Sequence, residues 1–330
     1  MNKKLLSIAL FLLPIAVISF VLKDETIFNL ESNNVVAVSS LVSEKPHKLV
    51  KTLEKENITM QKETYIRVLT NGKVETIPLE TYVTGVVAAE MPASFDMEAL
   101  KAQAVASRSF ALYRKKYSTG SYDVTDDTRT QVYISTDTMK KRWGNSYDKY
   151  YARISNAVKA TSGEVATYKG KIIEALYSAM SGGVTQDVAA VWGNSRDYLV
   201  PVESIYDNES INSFKSVRTI SIEEFKKKLG LTCDKVVIDY INKNESDYIS
   251  SISVCGKVLT GSNLMWKLTL KSADADIKIT DKVEITTYGF GHGVGMSQYG
   301  ANGYAEHGYT YEEIIKHYYK DVEISNLNEV

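Results

Sequence analysis

Glu90 stands where the pattern around it favours an apolar residue. Leu79, Tyr82, Val83, Val86, Val87 and Glu90 recur at helical spacing, so the carboxylate continues a buried stripe. Burial penalises its charged form, and the C-terminal turn of a helix disfavours a negative charge. Both effects favour a carboxyl that keeps its proton near neutral pH, as general acid catalysis needs. The same pattern also fits a glutamate that curls into solvent at a fraying helix end. Lys101 and Arg108, seven residues apart, share a face of the next helix with small residues between them. That face suits carboxylates or sugar hydroxyls, Arg108 with bidentate geometry. It equally suits an ordinary solvated helix surface. A third cluster is Gly289-Phe290-Gly291-His292-Gly293-Val294-Gly295-Met296-Ser297-Gln298-Tyr299-Gly300-Ala301. It lacks the βαβ context of a dinucleotide fingerprint. Its alternate glycines fit a turn that presents His292, Ser297 and Gln298 to a cleft, or one that only packs tightly. No HExxH or adjacent-turn histidine pair supports a metal, and no cofactor motif is present. Ser178 and Ser181 adjoin Gly182-Gly183 without forming a GxSxG elbow, and are read as polar loop residues for substrate.

Several elements must hold these groups. A hairpin turns at Asn71-Gly72 between Tyr65–Leu69 and Val74–Ile77. The Glu90 helix stops at Pro92, and a second helix is expected from about 97 to 113, with Asp96 as its N-cap. A third helix spans about 146–161, and Glu164 to Ser178 reads as a hairpin turning near Lys169-Gly170. From about 205 to 280 the pattern changes. A helix with a Ser221–Glu224 capping box, closed by Gly230, precedes strands at Val236–Ile241, Ile249–Val254, Lys257–Thr260 and Leu264–Leu270. A last helix begins at Thr310, with Glu313 completing its capping box. The expected fold is α+β, a mixed core with a substrate groove and an inserted subdomain at about 205–280.

Bulk properties narrow the function. The chain has 330 residues and a net charge of −1, so no basic field exists to hold nucleic acid. Tyrosine is frequent, 22 against 8 Phe. This composition suits sugar-binding clefts, and general surface preference explains it as well. Lys3 and Lys4 precede an uncharged, largely apolar run, Leu5 to Leu22, just long enough to span a bilayer. Residues 1–22 are read as a membrane anchor with a cytoplasmic N-terminus, a cleaved signal peptide being the alternative. Residues 23–62 are read as an extracytoplasmic stalk, ahead of a working domain at 63–325. Cys233 and Cys255 fit either a disulfide or two buried thiols.

Together these stretches resemble the SpoIID/LytB family. The matching residues are Val86 to Pro92, Glu98 to Arg108, Tyr177 to Thr185, Val191-Trp192-Gly193 and Gly289 to Ala301. The resemblance implies a lytic transglycosylase that cuts N-acetylmuramic acid–N-acetylglucosamine bonds in peptide-free glycan strands of the septal wall during forespore engulfment. It places the catalytic role on Glu90 and cleft roles on Lys101, Arg108, Tyr177, His292, Ser297 and Gln298. It also implies a wall amidase and a membrane scaffold as partners. The alternative function is a non-catalytic, wall-binding enhancer of an amidase. Some members carry Cys and His zinc ligands near the stretch Val124 to Gln131; none stands there in this chain.

Overall fold

A computed structural model describes residues 63–330. Strands β1 (Tyr65–Thr70) and β2 (Lys73–Pro78) form the expected hairpin, with Asn71 and Gly72 both at positive φ. Helix α1 (Leu79–Glu90) leaves β2 directly, and Met91 turns extended ahead of Pro92. Helix α2 (Met97–Tyr117) is capped by the Asp96 carboxylate on the Glu98 amide at 2.9 Å, and it runs four residues beyond the sequence expectation. Its run of alanines is buried against α1, since small side chains let helices approach closely. Strand β3 (Val124–Thr125) adds parallel to β1.

Helix α3 (Thr136–Trp143) has no counterpart in the sequence expectations. Ser135 caps it, but Met139 is its only buried side chain, so no apolar stripe marks it. Helix α4 (Tyr147–Ala160) falls where expected, and it packs with α1 against α2. Strands β4 (Glu164–Tyr168) and β5 (Lys171–Ile172) form the expected hairpin, but pairing ends after two residues. The chain then leaves as β6 (Tyr177–Ser178), which pairs parallel with a strand more than a hundred residues later. The short helix α5 (Val188–Trp192) is capped by Asp187 and closed by Gly193 in the left-handed region.

A second hydrophobic core follows. It comprises β7 (Lys215–Ser221), α6 (Ile222–Leu229), the meander β8 (Ile238–Lys243), β9 (Ile249–Val254) and β10 (Lys257–Thr260), then α7 (Gly261–Leu268), β11 (Ala275–Ile279) and β12 (Lys282–Tyr288). Phe225, Leu229, Ile252, Leu264, Leu268, Val283 and Ile285 fill it. The expected strand at Leu264–Leu270 is instead α7. Thr260 caps it on the Asn263 amide at 3.1 Å, and Leu264 and Leu268, one turn apart, are both buried. The expected capping box at α6 forms only in part. Ser221 caps the Glu224 amide, while the Glu224 carboxylate faces Arg218 and Lys228. Cys233 and Cys255 are disulfide-bonded, with Cα atoms 6.3 Å apart.

The chain closes with β13 (Met296–Ser297), α8 (Gln298–Glu306), α9 (Tyr311–Tyr318) and β14 (Glu323–Asn326). The Thr310–Glu313 capping box forms in full. Helices α8 and α9 return to α2, and β14 pairs with β4, so the C-terminus completes the first core. The fold is α+β, with helices and several small sheets. Among the described residues no helix is long and apolar enough to cross a membrane; the expected anchor and stalk lie outside them.

Candidate active site

Glu90 sits at the last position of α1, and two elements distant in sequence meet its carboxylate. The Val132 amide donates to one oxygen at 2.7 Å, and the Gln298 side-chain amide reaches the other at 3.5 Å. Burial raises the Glu90 pKa, and these two donors only partly oppose it. The carboxyl therefore holds its proton more firmly than an exposed glutamate does.

Around it lies a network of neutral polar groups. Gln298 also donates to the Gln103 carbonyl oxygen at 3.3 Å, and Gln103 donates to the Ser107 hydroxyl at 2.9 Å. Gln131 donates to the Tyr82 hydroxyl at 3.0 Å and to the Ser107 backbone carbonyl at 3.3 Å, and it accepts from the Tyr177 hydroxyl at 2.9 Å. Burial drives both tyrosine pKa values up, and the Glu90 charge adds to this. They are hydroxyl donors and acceptors here, not phenolates. Among the described residues no second carboxylate joins the network. Asp96 caps α2, and Glu98 is committed to Lys101 at 2.6 Å and to the Tyr311 amide at 2.9 Å.

The remaining sequence-derived candidates divide by position. Tyr177 and Gln298 lie with Glu90, because the parallel pairing of β6 with β13 sets Tyr177 against Met296 and Ser178 against Ser297. Lys101 pairs with Glu98, and its ammonium lies 5.5 Å from the centre of the Tyr311 ring. Arg108 is a correction. Its side chain is 0% exposed, so it cannot meet a substrate, and its guanidinium grips both Glu80 oxygens at 2.8 and 2.6 Å. It also donates to the Glu164 carbonyl at 3.0 Å. The open cationic face expected for Lys101 and Arg108 therefore does not exist.

Ser297 is likewise buried. It caps α8 on the Gly300 amide at 3.1 Å and hydrogen-bonds Asp207, so it frames the site without opening to it. Asp207 in turn accepts from the Ser181 amide and hydroxyl and from the Ser204 hydroxyl, at 2.7 to 3.0 Å. The Ser178 hydroxyl is buried with no hydrogen-bond partner among the described residues, and Gly291 packs against it. His292 accepts from the Val294 amide on Nδ1 at 3.0 Å, which leaves the proton on Nε2 in the neutral ring. Its ring also bonds the Tyr177 backbone, yet burial holds its pKa down at about 4. At neutral pH it is an uncharged brace.

Sequence reasoning did not single out Tyr82, Gln103, Ser107 or Gln131. The Glu90 argument reaches Gln103 as well, since that amide interrupts the apolar run Ala102 to Ala106 and is fully buried. Gln131 and Val132 lie on an irregular loop, where no periodicity marks them. Among the described residues no group of three or more His, Cys, Asp or Glu is placed to hold a metal.

Comparison with known proteins places this geometry in a family. Residues 69–168 match the SpoIID family, described as stage II sporulation protein. The chain is 41% identical over 267 residues to stage II sporulation protein D of Bacillus subtilis (strain 168), spanning 78% of this chain and 77% of that one. It is 42% identical over 266 residues to stage II sporulation protein D of Bacillus amyloliquefaciens, with the same 78% and 77% shares. It is also 30% identical over 295 residues to the amidase enhancer of Bacillus subtilis (strain 168), over 71% of this chain and 39% of that longer one. Identity at this level across more than three quarters of both chains is decisive: the chain belongs to the SpoIID family of sporulation proteins.

Proposed function

We propose that the protein is a lytic transglycosylase that cuts N-acetylmuramic acid–N-acetylglucosamine bonds in peptide-free peptidoglycan strands. The observation that carries this reading is a single, partly buried carboxyl with a raised pKa, set among neutral amides and hydroxyls. A glycosidase that uses water ordinarily needs two carboxylates across the scissile bond. One suffices when the sugar supplies its own nucleophile. Glu90 gives its proton to the leaving glycosidic oxygen as the anomeric C–O bond breaks. The C6 hydroxyl oxygen of the muramic residue then bonds the anomeric carbon and returns its proton to the Glu90 carboxylate. The products are a free 4-hydroxyl on one side and a 1,6-anhydro ring on the other, with no water consumed.

The setting proposed for this reaction is the septal wall during forespore engulfment. An N-terminal anchor would hold the protein at the membrane, with its working region extracytoplasmic, beside a wall amidase and a membrane scaffold. A second reading, a non-catalytic enhancer of a wall amidase, draws on the similarity to the amidase enhancer. Peptide-free strands incubated with the protein and with Glu90→Gln, then weighed by mass spectrometry, separate the two. Fragments one water lighter than hydrolysis products, absent with the variant, are expected. Ordinary reducing ends would mean a hydrolase. No cleavage by the parent protein, alongside stimulation of an added amidase, would favour the enhancer.

A further inference from the structure

Trp192 ends helix α5 with half of its surface exposed (50%), an unusual state for so large an apolar side chain. Its position is not left to chance. The Gln186 amide donates to the Gly293 carbonyl and the Gln186 side chain to the His292 carbonyl, both at 2.7 Å. The Asp187 cap and the Val188 amide bond to the Leu199 carbonyl at 3.2 Å then fix the start of the helix. The His292 ring meets Trp192 edge to face at 5.1 Å. That same ring bonds the Tyr177 backbone, and the Tyr177 hydroxyl enters the network around Glu90. Trp192 is thus tied through His292 to Tyr177, whose hydroxyl joins the polar network around Glu90 at Gln131.

Two other exposed aromatics stand in different settings. The Phe290 ring has the Lys271 ammonium 5.7 Å from its centre, and Trp266 belongs to α7 of the second core. Trp192 is held by a neutral ring, and among the described residues no cation sits over it. A half-open indole braced by a neutral ring is suited to the apolar C–H face of a pyranose, whose edge carries the polar groups. Because the platform is fixed before binding, little ordering is lost when a sugar arrives.

We infer that Trp192, braced by His292, is a stacking subsite for an N-acetylhexosamine ring of the glycan strand, removed from the bond that Glu90 cleaves. This inference rests on the glycan reading above. The test uses the full-length chain in detergent with the Glu90→Gln substitution, which holds strands uncut. Its affinity for peptide-free glycan strands is titrated by calorimetry. Adding Trp192→Ala is expected to weaken binding about tenfold. Trp192→Phe, which keeps a ring, should recover most of the loss. Trp266→Ala, an equally drastic change at an exposed tryptophan, should leave binding unchanged. Circular dichroism melts confirm that each variant is folded. Equal affinity of the parent and Trp192→Ala would overturn the subsite alone, as would an equal loss in Trp266→Ala. Failure of the parent to bind strands at all would overturn the glycan reading and the subsite with it.

Discussion

Removal of Arg108 separates a structural cation from a substrate contact. The guanidinium is fully buried and holds both Glu80 oxygens, the Glu164 carbonyl at 3.0 Å and, more weakly, the Val158 carbonyl at 3.4 Å. It ties the start of α1 to α2 and to β4. Deleting one partner of a buried pair costs about 3–5 kcal/mol when the other charge stays buried. The Glu80 side chain is 39% exposed, so its carboxylate regains water after the substitution. The expected loss for Arg108→Ala therefore sits at the low end, about 3 kcal/mol. For a chain of this size each kcal/mol moves Tm by about 2–4 °C, so the melt should fall by about 6–12 °C. Differential scanning calorimetry at pH 7 measures it. Arg108→Lys should recover only part, because an ammonium cannot grip both oxygens in a fork. Arg108→Met combined with Glu80→Gln, which leaves no unpaired charge, should lose less than Arg108→Ala. An unchanged Tm in Arg108→Ala, together with weakened glycan binding, would return Arg108 to the cleft and refute this account.

Three further outcomes follow from the same geometry. Glu90→Gln should abolish strand cleavage without lowering Tm at pH 7. A carboxyl whose folded pKa is raised adds stability in full below the ordinary glutamate range and loses it as pH rises through the folded value, so at pH 7 the neutral amide costs nothing. A Tm drop of several degrees would show that Glu90 is chiefly structural. Gln298→Leu removes a donor to the carboxylate, so the protonated form gains and the Glu90 pKa rises. The limb on which cleavage falls with rising pH should move up, by little because the contact is long at 3.5 Å, as read from pH profiles of kcat/KM. A limb that moved down would reverse the assigned role. Reduction of Cys233–Cys255, which closes a loop of 22 residues, should cost about 3 kcal/mol in guanidinium melts. Glu90 and its network lie in the first core, so cleavage should persist in the reduced protein.

Periodic features were legible because side-chain burial writes them into the sequence. The Glu90 position, the α2 cap at Asp96 and the Thr310–Glu313 box each follow from local chemistry that the fold did not override. What was not legible depended on partners. A cation with alanines on its face looks solvent-directed until Glu80 and Glu164 arrive from other elements. Leu264–Leu270 reads as a strand because a short apolar run does not separate strand from helix, and the Thr260 cap makes it a helix. Helix α3 carries too little apolar surface to announce itself. The network around Glu90 draws on α1, α2, the loop at 131–132, β6 and α8, so no single stretch contains its signature.

The glycine-rich stretch takes a different meaning in the structure. Its density fits close packing better than the presentation of catalytic side chains. A Cβ at Gly293 would lie 2.3 Å from the Tyr248 hydroxyl, and one at Gly295 would lie 2.0 Å from the Leu176 carbonyl; both residues also have positive φ. The loop donates from Gly289 to the Phe214 carbonyl and from Gly291 to the Lys271 carbonyl, each at 2.8 Å, while Met180 and Phe290 exchange backbone hydrogen bonds. It is therefore the seam at which the chain of the second core meets β6 of the first. Its later part carries Met296, Ser297 and Gln298, whose positions β6 and Asp207 fix. Of these only Gln298 touches the candidate acid. The motif thus acts at Glu90 through one amide. Its remaining residues set where that amide stands, so a side chain added at Gly293 or Gly295 should act on the acid by displacing Gln298.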